Sequence, residues 1–184
     1  MRRILVFIIA ITAIVCGVKS QVVGVKTNIL YDATSTINLG LEIGIAPKWT
    51  LELPVNYNPW NLSVEKKLKH WLVQPEARYW FCEKFNGHFL GLHAMAGGYN
   101  VGGIDVLGLK EHRYEGDLYG GGVSYGYHWI LSTRFSIEAT VGAGYVYLDH
   151  AKYPCEKCES KIGDFTKNWF GPTKAGISLI YIIK

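Results

Sequence analysis

Hydrophobic and polar residues alternate one by one along most of the chain beyond its first twenty residues. The clearest example is residues 37–45, where five apolar side chains alternate with Asn38, Gly40, Glu42 and Gly44. Successive side chains of a β-strand point to opposite faces, so this period of two predicts a strand with one apolar face. A tight turn at residues 46–48 leads into a second alternating stretch, residues 49–57, which completes a predicted β-hairpin.

The same period predicts eight strands, an even number. The predicted strands are residues 22–31, 37–45, 49–57, 71–81, 88–100, 119–129, 135–147 and 169–183. Their connections alternate in length: short turns lie near 46–48, 82–87 and 131–134, and longer segments near 59–69, 101–113 and 148–167, with a brief one at 32–36. Short turns at one end and long loops at the other are typical of an up-and-down outer-membrane barrel.

Residue size indicates which face of this barrel points inward. The interior of an eight-stranded barrel is just wide enough for side chains to fill it. One face is dominated by Gly, Ser, Thr and Asn, whereas the other carries Trp, Tyr, Phe, Leu and Ile, Trp169 included. We therefore expect the bulky face to point toward lipid, with its aromatic residues forming one girdle near each strand end.

Three prolines, Pro54, Pro75 and Pro172, fall within predicted strands. A closed barrel offers no free edge to accommodate a residue without a backbone N–H. We therefore expect bulges or local kinks at these positions.

The first twenty residues predict a cleaved signal peptide. Arg2 and Arg3 precede the apolar run Ile4–Val15, and the small residues Val18 and Ser20 place the cleavage before residue 21. The run is shorter than the roughly 20 residues that a membrane-spanning helix needs. The predicted domains are thus a signal peptide, 1–20, and a barrel, 21–184. The barrel keeps 16 basic against 15 acidic residues, a balance that implies no nucleic-acid partner.

The predicted inward face carries seven charged residues: Lys26, Glu42, Glu52, Glu76, Arg78, Glu138 and Lys174. Carboxylates in a low-dielectric interior need cationic partners, so we expect these residues to form a salt-bridge network that fills the bore. A filled lumen excludes a wide diffusion pore. Paired carboxylates also serve glycosidic chemistry, but such a lumen admits no polymer. We predict no catalytic residue, cofactor or metal site.

Two features lie in the predicted long loops. Cys155 and Cys158 predict a local disulfide in an exported protein, with a redox motif or a metal site as alternatives. Lys66, Lys67 and Lys69 lie among apolar residues, which indicates either a solvated loop or a contact with lipopolysaccharide phosphates.

Several long stretches resemble one known family. They are KHWLVQPEARYWFCEKFNGHF, NVGGI, SYGYHWILSTRFSIEATVGAGY and NWFGPTKAGISLIYIIK. They resemble the Bacteroidales outer-membrane barrel family catalogued as domain of unknown function 3575, from about Lys26 to Lys184. The resemblance implies an outer-membrane barrel that is often encoded near fimbria-like surface proteins, and it implies no activity.

The last strand also resembles the signal read by the barrel-assembly machinery. Lys174, Gly176, Leu179 and Tyr181 occupy its polar, glycine and two apolar places. The chain departs from that signal at its end, where Lys184 stands in place of the usual aromatic residue.

Together these patterns predict an all-β, eight-stranded antiparallel transmembrane up-and-down barrel, preceded by a cleaved signal peptide. We expect a non-enzymatic outer-membrane monomer with periplasmic termini and extracellular long loops, whose role is structural or lies in surface interactions. One alternative is a barrel enzyme that modifies lipid A or phospholipid, which needs a His/Ser/acid cluster on the lipid face or outer rim. The other is a secreted soluble barrel that holds a small apolar ligand.

Overall fold

Nine strands and one short helix follow each other along the chain. In a computed structural model, residues 22–60, 67–102, 112–154 and 163–183 are described. The elements are β1 (Val23–Asn28), α1 (Ile29–Ala33), β2 (Ile37–Ala46), β3 (Trp49–Asn58), β4 (Lys67–Val73), β5 (Glu76–Trp80), β6 (Gly87–Gly102), β7 (His112–Ile130), β8 (Phe135–Pro154) and β9 (Gly163–Ile183). The predicted signal peptide lies outside the described residues.

The strands close into one antiparallel barrel. Strands that follow each other along the chain are paired, except β4 and β5, and β1 pairs with both β2 and β9, which joins the two ends of the sheet. β4 and β5 both lie between β3 and β6 and are the two halves of one interrupted strand. The barrel therefore has eight strands, and the predicted all-β, eight-stranded antiparallel architecture is confirmed.

The interruption between β4 and β5 lies at Gln74 and Pro75, beside Pro54 of β3. The Gln74 amide donates to the carbonyl oxygen of Pro54 at 3.2 Å, and the Ala94 amide donates to that of Pro75 at 3.0 Å. Two residues without N–H groups thus sit at the place where regular strand pairing stops, so no backbone donor is lost there. The register with β3 and β6 is the same on both sides of Pro75, and β3 passes through Pro54 without a register shift. The strand is thus interrupted at Pro75, but no bulge forms at Pro54 or Pro75.

A β-bulge next to Pro172 exchanges the inward and outward positions in the N-terminal part of β9, before the bulge. Gly142 pairs with Lys174 and the next residue, Ala143, pairs with Pro172, which leaves Thr173 as the extra residue. Above the bulge Trp169 lies opposite the buried Val146, whereas Phe170 lies opposite the exposed Tyr145. Paired residues share a face. Trp169 is 38% exposed, but its ring lies on the inward face over Gly171. The outward prediction for Trp169 was therefore wrong, and Phe170, 79% exposed, takes the outward position.

The first predicted strand, 22–31, was wrong in its last three residues. Asn28 ends β1, and its side-chain oxygen accepts a hydrogen bond from the Leu30 amide at 3.1 Å. This contact caps the N-terminus of α1, a preferred role of asparagine. Among the described residues, no helix has the length and apolar character to cross a membrane.

All three predicted long loops, 59–69, 101–113 and 148–167, were wrong in extent. β4 already begins at Lys67. β7 already begins at His112, β8 continues to Pro154 and β9 begins at Gly163. The outward positions there include the paired residues Asp149 and Thr166, both exposed. The opposite face there carries Leu148 and Phe165. These apolar side chains are therefore not on the outward face in this part of the strands, and the alternation by which the other strands were predicted is missing.

An apolar plug closes the interior at the short-turn end. It consists of Trp80, Phe85, Phe89, Ile180 and Ile182, each less than 9% exposed. Phe85 adopts a left-handed backbone conformation (φ 62°) in the turn between β5 and β6, and its ring contacts that of Trp80 with centroids 5.9 Å apart. The turn therefore folds its aromatic side chain into the bore.

Candidate functional site

The seven charged residues predicted for the inward face lie in one cluster inside the barrel. They come from β1 (Lys26), β2 (Glu42), β3 (Glu52), β5 (Glu76 and Arg78), β8 (Glu138) and β9 (Lys174). Six of them are at most 6% exposed, and the Lys174 side chain is 12% exposed. The alternation of each strand brings them together, because every one of them occupies an inward position of its strand.

Arg78 is the centre of this cluster, and its guanidinium contacts all four carboxylates. Nη1 lies 3.0 Å from Oε2 of Glu42 and 3.0 Å from Oε2 of Glu138. Nε donates to Oε1 of Glu76 at 2.6 Å, and Nη2 pairs with Oε2 of Glu52. On its other side the guanidinium lies over the Phe89 ring, 4.4 Å from the centroid. The planar fork of arginine suits this arrangement, since it offers five donors in fixed directions.

Two lysines complete the ion pairing on either side of Arg78. Lys26 Nζ lies 2.9 Å from Oε2 of Glu138, 3.5 Å from Oε1 of Glu52, and also pairs with Glu42. Lys174 Nζ lies 3.0 Å from Glu52 and 2.7 Å from Glu76. Four carboxylates and three cations leave the cluster with a formal charge of −1 when the histidines are neutral.

Uncharged polar residues that were not among the predicted site residues bind the same carboxylates. The Thr50 hydroxyl donates to Glu42, and in turn accepts from Trp80 Nε1 at 2.9 Å. The Thr140 hydroxyl donates to Oε1 of Glu138 at 2.9 Å. The parity of their strands places these residues inward, so the same alternation that predicted the charged residues could have identified them.

Two histidines flank the cluster, one at each end. His93 Nε2 and Thr173 Oγ1 are 2.9 Å apart, and His93 Nδ1 lies 3.9 Å from Oε2 of Glu76. His128 Nδ1 lies 3.6 Å from Oε2 of Glu138, and its ring packs edge-on against Trp80. The bulge at Thr173 provides the partner of His93, and Pro172 is the sequence signal next to it.

Little space is left inside the described part of the barrel. A cavity of about 30 Å³ lies beside the charged cluster, lined by Lys26, Glu52, Arg78 and Asn56 among others. This volume holds about two water molecules. With the apolar plug below and the charged cluster beside it, this space is large enough for ordered water.

The outer surface is apolar over the middle of the barrel and aromatic toward both ends. The exposed aliphatic residues include Leu39, Leu41, Leu51, Leu53, Val55, Leu90, Leu92, Val123, Val141, Ile177 and Leu179. We call the exposed aromatic set near the short turns the lower ring; it comprises Trp49, Tyr79, Phe81, Trp129, Phe135 and Tyr181. The exposed set near the long connections, the upper ring, comprises Tyr57, Trp71, Tyr119, Tyr145 and Tyr147.

The remaining predicted residues are distributed over the barrel. Lys67 begins β4 and Lys69 is exposed on it, whereas Lys66, Cys155 and Cys158 lie outside the described residues. On β9, Lys174 and Gly176 occupy inward positions and Leu179 and Tyr181 outward ones. Cys82 is an exposed free thiol.

The fold and its interior define the class of this protein: an eight-stranded antiparallel β-barrel with an ion-paired lumen and an apolar outer surface. Within that class, the chain matches the family described as protein of unknown function (DUF3575) over residues 5–183, and it belongs to that family. No curated protein and no solved structure matches the chain.

Proposed function

We propose that this protein is an integral outer-membrane barrel with a structural or surface-interaction role, and that it is not an enzyme. One observation carries the proposal: large apolar side chains cover the outside while charged residues fill the inside. Soluble monomers rarely expose contiguous apolar patches beyond a few hundred Å². A bilayer reverses that expectation, because it favours an apolar band on the outside of the barrel with aromatic girdles at its borders.

The two aromatic rings support a transmembrane orientation. In a bilayer the lower and upper rings would lie at its two interfaces, where Tyr and Trp are enriched. The short turns and both termini would then be periplasmic and the long connections extracellular, with the monomer inserted by the barrel-assembly machinery. Lys66, Lys67 and Lys69 would face lipopolysaccharide, and the outer connections would contact surface partners such as fimbria-like proteins.

A gel-mobility measurement tests membrane insertion. The protein extracted from outer membranes in detergent should migrate as a compact species when unheated and more slowly after boiling, because the closed hydrogen-bonded barrel resists detergent at room temperature. A chain that stays in the soluble fraction and shows no heat-dependent shift would contradict the proposal. That result would favour a soluble barrel instead.

A charged residue on the outer surface provides a second test. Leu41→Arg should destabilise the barrel in phospholipid vesicles by about 2–4 kcal/mol, because Leu41 lies mid-strand on the outward face, where arginine is costly. Trp49→Arg is the matched control: it lies in the lower ring, where the cost falls to about 0–1 kcal/mol. Urea unfolding followed by tryptophan fluorescence measures both. If Leu41→Arg and Trp49→Arg lower the free energy of unfolding equally, the two residues do not lie at different depths in a bilayer.

A further inference from the structure

Three cationic side chains lie at the short-turn end of the barrel, outside the lumen network. Lys48 is in the turn between β2 and β3, Lys84 in the turn between β5 and β6, and Arg134 directly before β8. Within the described residues, none of the three forms a salt bridge, whereas every cation of the lumen cluster does. Glu83 is the one described acid in these turns. This end therefore presents positive charge without internal compensation.

Arg134 stands at the edge of a defined cleft. The cleft has a volume of about 400 Å³ and is lined by Thr133, Arg134, Tyr181, Ile182 and Ile183. The Ile182 amide donates to the Arg134 carbonyl oxygen at 2.8 Å, which ties the arginine backbone to β9. The Tyr181 ring packs edge-on against Phe135, with centroids 5.2 Å apart. The walls of the cleft are therefore held in place by strand pairing and ring packing.

The donors at this cleft are largely uncommitted. Arg134 Nη1 donates to the Tyr181 hydroxyl at 3.3 Å. Because that hydroxyl oxygen accepts from Arg134, its own proton is available to a further acceptor. A guanidinium has five N–H donors, and within the described part of the chain this is the one side-chain partner recorded for Arg134. Arg134, Tyr181 and Thr133 thus offer several donors around one opening.

We infer that Arg134, together with Tyr181 and Thr133, binds the phosphodiester group of a glycerophospholipid. The guanidinium fork matches the paired oxygens of a phosphate, and Tyr181 belongs to the lower ring, which membrane insertion would place at headgroup depth. The inference therefore rests on the proposed function. Phe135 and Ile183, both exposed beside the cleft, favour a lipid over free phosphate because they offer contact to the glycerol and acyl portions.

Lipid binding by the folded protein in detergent micelles tests this assignment. Phosphatidylglycerol is titrated in, and native mass spectrometry counts the lipids retained per barrel. Arg134→Gln should weaken the first lipid bound about tenfold, the scale of one charge-assisted hydrogen bond. Arg134→Lys should lose less, because it keeps the charge but not the fork. The matched control is Lys167→Gln, which removes an exposed cation from the opposite end of β9 and should leave lipid binding unchanged.

The outcomes separate this inference from membrane insertion itself. Heat-dependent gel mobility is measured on the same samples and shows that each variant is folded. If Arg134→Gln retains lipid as the unmodified protein does while its mobility still shifts, the Arg134 site is overturned and the membrane barrel stands. If millimolar inorganic phosphate displaces the first lipid, the site recognises a free anion and the lipid assignment is overturned. A protein without heat-dependent mobility would contradict the proposed function instead.

Discussion

Arg78→Met is expected to leave most of the protein unable to fold into its barrel. Methionine keeps much of the side-chain volume beside Phe89 but removes the guanidinium that contacts Glu42, Glu52, Glu76 and Glu138. Removing one partner of a single buried ion pair typically costs about 3–5 kcal/mol, because the other charge is left buried and uncompensated. Here four buried carboxylates lose the same partner, so we expect a cost at or above the top of that range.

The expected result is a loss of the compact, heat-sensitive gel species after refolding into phospholipid vesicles. Lys48→Met is the matched control, since Lys48 is exposed and its ammonium contacts only the Phe81 carbonyl oxygen among the described residues. We expect that variant to fold normally, within about 0.5 kcal/mol of the unmodified protein.

A partial rescue distinguishes charge from packing as the cause. Combining Arg78→Met with Glu52→Gln and Glu76→Gln removes two of the uncompensated charges and should restore part of the folded fraction. Neighbouring changes in one network are not additive, which makes the combination informative. If the combined variant folds no better than Arg78→Met, or if Arg78→Met alone folds normally, then Arg78 is not the group that neutralises the carboxylates.

The inward position of Arg78 and of its six charged neighbours was predictable, because strand parity depends only on counting residues within a regular stretch. The prediction used the alternation of each strand separately and needed no knowledge of which strands face each other across the lumen. Their individual contacts were not predictable, since these depend on the stagger between strands. Sequence alternation carries no information on that stagger.

The prediction of inward and outward positions from strand alternation failed where the backbone is irregular. Trp169 was assigned outward because its period was counted from Tyr181 without a break, and the bulge at Thr173 shifted it by one residue. A one-residue shift exchanges the two faces of a strand. Pro172 signalled an irregularity at this position, but its sequence context did not specify whether a bulge or a simple kink would form.

The interior also shows where an argument from average residue size falls short. Bulky aromatic residues were expected outside, yet Trp80 and Phe89 are fully buried within the bore. Phe89 fits because the adjacent wall position is Gly126, where an added Cβ would overlap the Phe89 ring. Whether a bore accepts a large side chain thus depends on what stands opposite it, which only the strand register determines.

Gly144→Ala is expected to destabilise the barrel by at least about 3 kcal/mol, the upper end of the usual cost of overpacking. Gly144 of β8 pairs directly with Gly122 of β7 on the inner wall. A Cβ at residue 144 would overlap the carbonyl oxygen of Gly121 and lie 2.6 Å from the Cα of Gly122. The obstacle is backbone on the neighbouring strand, which cannot move aside as a flexible side chain can, so the two strands would have to separate.

Gly163→Ala is the matched control for this glycine effect. It introduces the same methyl group into β9, but there the Cβ would lie 3.4 Å from the Phe165 ring, an ordinary van der Waals contact. We expect the free energy of unfolding of that variant to lie within about 0.5 kcal/mol of that of the unmodified protein. Its urea midpoint in vesicles measures this difference. An unchanged midpoint for Gly144→Ala would mean that the close approach of β7 and β8 at this pair does not require glycine at residue 144.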